Sequence, residues 1–86
     1  MSTPWEAKTE KKFQQLLERI PVFMRPIAQD KITKKAVSLA AGAGHTEINE
    51  KDMIDAFFSE TPFGFHGPMK NDLEALGIDY RKYGHQ

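Results

Sequence analysis

Pro21 and Pro26 enclose Val22-Phe23-Met24-Arg25, and this pair constrains the chain more than any other feature. Proline lacks an N–H and pushes the residue before it out of the α region, so no helix runs unbroken through residues 20–26. The chain must turn there within a few residues, which makes the segments on either side separate elements. Val22, Phe23 and Met24 are expected to plug the corner where those elements meet, so that the corner itself becomes core. Arg25 has two uses of equal standing. Its guanidinium can bond the open carbonyls ending the first helix, or it can reach a partner's carboxylate or phosphate.

Upstream of Pro21, Thr3-Pro4-Trp5-Glu6 reads as a helix start, with Thr as cap, Pro in the first helical position and Glu at the third. Phe13, Leu16, Leu17 and Ile20 then recur at helical spacing. Downstream, Ile27 to about Ala41 contains no breaker and carries an apolar line at Ala28, Ile32, Ala36, Leu39 and Ala43. Gly44 is placed to end this second helix in the left-handed conformation. Gly42, flanked by Ala40, Ala41 and Ala43, suggests a place where another backbone approaches closely.

His45 to Ile48 then forms a short extended link, and Asn49 caps a third helix from Glu50 to about Phe58. Glu50 and Asp52 suit its positive N-terminal end. Thr61 to Pro68 reads as a loop, followed by a fourth helix from Pro68 to Leu76. Gly77 stops that helix, and Ile78 lies where it can touch Leu73. The tail from Asp79 to Gln86 is polar, with Tyr80 and Tyr83 beside Arg81 and Lys82. The expectation is an all-α fold, a small bundle of three to four helices. Residues 1–60 form a three-helix core, and 61–86 add a loop, a short fourth helix and a tail to the same domain.

Composition removes several kinds of function. The 86 residues contain no cysteine, so the chain itself supplies no disulfide, iron–sulfur ligand or thiolate nucleophile. His45, His66 and His85 lie about twenty residues apart without a second ligand at metal-site spacing; they are read as turn and surface histidines. No Ser-His-Asp order, paired carboxylates or phosphate loop stands out. No catalytic residue, metal ligand or cofactor is therefore assigned. No run approaches the ~20 apolar residues of a membrane span, and the first residues carry no secretory pattern; a cytoplasmic location is expected.

Net charge is zero, yet residues 1–43 hold eight Lys/Arg against four Asp/Glu, and residues 44–86 hold four against eight. A protein that lives on phosphate contacts is normally basic as a whole, so nucleic acid is a poor partner. The two halves are expected to complement each other or to present solvated faces.

Two resemblances bear on role. Ile20-Pro21-Val22-Phe23-Met24-Arg25, after the Trp5 helix, is similar to the Ile-Pro-Phe-Phe-Val-Arg signature of a small protochlorophyllide-reductase-type domain. That domain is the C-terminal module of one of the subunits of light-independent protochlorophyllide reductase and also occurs as stand-alone relatives. Ala40, Gly44, Ile48, Asn49 and Ala56 extend the likeness over roughly residues 5–57. It implies a helical fold and an association with a chlorophyll-biosynthesis oxidoreductase, without carrying catalytic residues onto this chain.

The stretch Ala40 to Ala56 also resembles the end of the long helix, second loop and third helix of a histone fold, with a β-bridge position near Thr46–Ile48. That likeness implies a dimer or nucleic-acid binder, although Glu47 and Glu50 stand where phosphate contacts would be wanted. The leading expectation is a non-catalytic accessory module that docks to a larger redox enzyme or to itself. Its partner-binding residues would be Phe23 and Arg25 at the corner, Phe63 and Phe65 in the loop, which are otherwise expected to fold back and cap the core, and Tyr80 and Arg81 in the tail, where the aromatic and basic groups could stack on a base or porphyrin.

Overall fold

The computed structural model describes residues 3–86. Four α-helices, α1 (Ala7–Glu18), α2 (Arg25–Ala43), α3 (Glu50–Glu60) and α4 (His66–Ala75), are joined by short 3₁₀ turns at Val22–Met24 and Phe63–Phe65. A last 3₁₀ turn, Tyr80–Tyr83, closes the chain. The all-α expectation holds, and within the described residues β-pairing is limited to one isolated parallel bridge between Trp5 and Ile48.

That bridge corrects the start of the first helix. The Ile48 N–H donates to the Pro4 carbonyl and the Glu6 N–H donates to the Ile48 carbonyl, both at 2.9 Å. The chain thus stays extended through Glu6 (φ −59°, ψ 135°), and α1 begins at Ala7 without a side-chain cap. Thr3 caps nothing. Trp5 instead stacks on Phe13, ring centres 4.4 Å apart and planes 12° apart, and Phe13 meets Phe57 of α3 edge-on at 6.0 Å. These three rings seal the N-terminal segment against α1 and α3.

The core face of α2 is Ile32, Ala36 and Ala40, residues four apart on one side of a helix. The alanines let α2 lie close to α3, which presents Met53, Ile54, Ala56 and Phe57. Ala43, expected on that face, is exposed. Gly42 is also corrected, because a methyl group placed on it would meet nothing within 4 Å; no backbone approaches there. Gly44 does end the helix with φ +79°, and the His45 N–H reaches back to the Ala40 carbonyl at 2.9 Å.

Both predicted caps on the acidic half form. The Asn49 side chain accepts from the Asp52 N–H at 2.9 Å, and the Asp52 carboxylate accepts from the Asn49 N–H at 3.1 Å, a reciprocal pair that satisfies two otherwise open donors. At the far end of α4, Gly77 adopts φ +73° and the Ile78 N–H bonds the Leu73 carbonyl at 2.9 Å. That helix starts at His66, two residues earlier than Pro68 suggests, because Pro68 fits within its first turn.

Glu50 ties three distant segments together. Its carboxylate accepts from Lys12 of α1 and from the Tyr83 hydroxyl of the C-terminal turn, with Lys82 3.6 Å away. Burial alone would raise its pKa, but the bonds from Lys12 and Tyr83 outweigh it and hold the pKa below the ordinary 4.5. Burial, then the bond to Glu50, pushes the Tyr83 hydroxyl upward. A carboxyl depressed in the folded state contributes stability above its unfolded pKa and loses it as pH falls through the folded value. Glu50→Gln is therefore expected to cost about 1–2 kcal/mol at neutral pH. It should also flatten the fall in thermal midpoint below pH 4.5, as a pH series of melting curves on both proteins would show.

Candidate functional site

The two corners of the fold have the same construction. After α1, Pro21 (φ −51°, ψ 140°) leads into the turn Val22–Met24; after α3, Pro62 (φ −55°, ψ 141°) leads into Phe63–Phe65. Met24 and Phe65 each return an N–H to the carbonyl of their proline at 2.9 Å, and the next residue begins α2 or α4. That next residue also reaches back. Arg25 donates from Nε to the carbonyls of Leu17 and Ile20 and from Nη2 to that of Glu18, all at 2.9 Å. His66 Nε2 lies 2.9 Å from the Thr61 carbonyl; a carbonyl only accepts, so this nitrogen carries the proton.

The matching sequence signal is a proline, three residues without charge, and then a side chain able to donate a ring or guanidinium N–H: Pro21 to Arg25 and Pro62 to His66. Of the two uses open to Arg25, the structure displays the first. The guanidinium satisfies carbonyls that the end of α1 leaves without intrahelical partners.

The expected burial of the first corner is overturned. Val22 and Phe23 are 71% and 78% exposed, and Met24 is exposed too. A single 3₁₀ turn between two helix ends brings its flanking proline and its third residue only as far as the rim of a cleft, where both remain exposed. Phe23 is left pointing at water. The second corner behaves alike, with Phe63 88% and Phe65 65% exposed.

Between the corners lies a cleft of about 530 Å³. Leu16, Ile32, Phe57 and Met69 reach it from the core, and Pro21 and Met24 of the first corner and Pro62 and Phe65 of the second also line it. Arg19 and Asp72, both lining it, pair at 3.2 Å and link the α1 wall to α4. Lys31 on α2 and Glu60 on α3 also line it; among the described residues neither has an oppositely charged side chain within 4 Å. Every strongly exposed large apolar residue, Val22, Phe23, Met24, Ile27, Phe63 and Phe65, belongs to a corner or to the first turn of α2. Such a surface can take an apolar guest out of water and orient it by the charges on its rim.

Among the tail residues, Tyr80 lies outside this face. It is 1% exposed, its hydroxyl donates to Glu74 at 2.9 Å, and its ring is tilted against Phe58 at 5.7 Å. Tyr80 is thus a core residue and does not present a stacking surface. The tail reads as polar, but the reversal at Gly77 carries it back along α3. Arg81 sits over the Tyr80 ring at 4.8 Å and 3.7 Å from Glu74. Nearby, His85 stacks on Phe58 at 4.1 Å and meets Asp55 at 2.6 Å. His45 lies 3.1 Å from Asp52. Among the described residues no group of three His, Cys, Asp or Glu could hold a metal ion, and no helix is long and apolar enough to cross a membrane.

Comparison with curated proteins and with solved structures finds no match. A family model described as "Protein of unknown function (DUF2621)" matches residues 2–86, and the chain belongs to that family.

Proposed function

We propose that this chain is a non-catalytic interaction module that docks a protein surface into the cleft between its two proline corners. The observation that carries the reading is that three of the six exposed large apolar residues, Met24, Ile27 and Phe65, line one recess, while Val22, Phe23 and Phe63 stand on the two turns that border it. Exposed apolar patches beyond a few hundred Å² on small proteins mark interaction sites. In this reading Phe63 and Phe23 are the aromatic groups offered to a partner, Arg25 braces the corner through its bonds to the α1 carbonyls, and Tyr80 takes no direct part. The likeness to the protochlorophyllide-reductase-type domain suggests a large redox-enzyme subunit as one such partner.

A photocrosslinking amino acid in place of Phe63 tests the reading in cells that make the protein. The expected result is a discrete protein adduct from position 63. None should form from Thr46, an exposed position in the link before α3, separated from the second corner by that helix's length of roughly 16 Å. Equal labelling from both positions, or none from 63, would remove the docking role.

A further inference from the structure

We infer that the partner seated in the cleft is a second copy of this chain, related by a two-fold axis. The inference rests on the docking reading above and names its occupant. A two-fold interface uses one patch twice, so the patch must hold both a projection and a recess to receive it. This face holds both: Phe23 and Phe63 stand into solvent at the corners whose prolines and third residues line the cleft.

The charges fit the same arrangement. The α2 wall contributes Lys31 and the α3 wall contributes Glu60, neither paired within its own chain among the described residues. In the inferred dimer the first corner of one copy seats against the second corner of the other, and each Lys31 pairs with the other chain's Glu60. A partner lacking this pattern would leave both rim charges without a counterpart.

The area is also adequate. At their observed exposures, with each phenylalanine offering ~150–200 Å², the six apolar residues together present on the order of 700 Å², close to the ~800 Å² per partner of a standard stable interface.

The test is the molar mass of the purified full chain by light scattering and sedimentation equilibrium across a concentration series up to about 200 µM, where a micromolar dimer is fully formed. The expected mass is twice the 9.8 kDa of the monomer. Phe23→Ser with Phe63→Ser should give a folded monomer at every concentration, because both side chains are exposed. Lys31→Glu and Glu60→Lys should each raise the dissociation constant about ten-fold through like charges at the rim. The double variant Lys31→Glu/Glu60→Lys should return it to within about three-fold of the parent, since the pair is restored with its signs exchanged.

A wild-type mass that stays monomeric, a dimer indifferent to the phenylalanine variants, or charge effects that add without rescue would each overturn the inference. A Phe63 adduct formed only with a different polypeptide would overturn it as well, and would leave the docking reading standing. No adduct at all would remove both.

Discussion

Replacing Phe13 by alanine is expected to leave most molecules unfolded at room temperature in mild denaturant, and many without it. The ring is 2% exposed and stands between Trp5 and Phe57. Its loss therefore opens a cavity at the junction of the extended N-terminal segment, α1 and α3. Phe→Ala in a core costs about 3–5 kcal/mol, whereas a chain of this length has a total stability of about 4–13 kcal/mol at typical per-residue values. The stack with Trp5 also disappears, and with it the aromatic support of the bridge to Ile48. Phe23→Ala provides the contrast: the same chemical change at a ring 78% exposed should shift stability by no more than about 0.5 kcal/mol. Urea unfolding followed by far-UV circular dichroism measures both. Similar midpoints for the two variants would mean that Phe13 contributes no more to the core than Phe23 does.

The contrast between these rings marks where the sequence can be read and where it cannot. Phe13 belongs to a run with helical period, and periodicity fixes a side: Leu16 and Leu17 share its face and are buried with it. The Asn49 cap and the Gly77 stop are equally legible, because each solves a local backbone problem with few chemical answers. Phe23 sits between two prolines, where no period exists. Breakers tell that the chain turns but not which way the turn faces. Burying an apolar triplet is the ordinary expectation, and it fails here because one 3₁₀ turn is too short to bring all three residues against the body.

The other departures have the same origin in contacts distant along the chain. Thr3-Pro4-Trp5-Glu6 has the form of a helix start, yet the backbone of Pro4 and Glu6 is claimed by Ile48, forty-odd residues away, through two hydrogen bonds. Tyr80 lies in a tail rich in charge, and only the left-handed reversal at Gly77 carries it under Phe58. The Lys12–Glu50–Tyr83 cluster joins three segments that no local rule connects. The candidate site is a compound case. Its residues Phe23, Phe63 and Phe65 can be named from the sequence, but the cleft that relates them exists only once folding has brought Pro21 after α1 and Pro62 after α3 to the same recess.

Arg25 separates support from binding within a single corner, and the second large effect is expected there. Hydrogen bonds from a charged donor contribute about 1.5–3 kcal/mol each, and Arg25 donates toward three carbonyls through two nitrogens, with one Nε–H shared. Against this, a cation at the start of α2 opposes the helix dipole by about 0.3–1 kcal/mol, and one of the bonds lies at the surface. The balance favours a loss of about 2–3 kcal/mol for Arg25→Ala. Arg25→Lys should recover less than half of that, because one ammonium cannot span carbonyls on different sides as a planar guanidinium does.

Phe23→Ser, two residues away, should leave the urea midpoint in place at protein concentrations below the dimer dissociation constant while removing association above it. Arg25→Ala should lower the midpoint and weaken association only in proportion to the unfolded fraction. If instead Arg25→Ala unfolded at the parental midpoint but abolished association, the guanidinium would be a contact for the partner. The carbonyls ending α1 would then need another source of stabilisation.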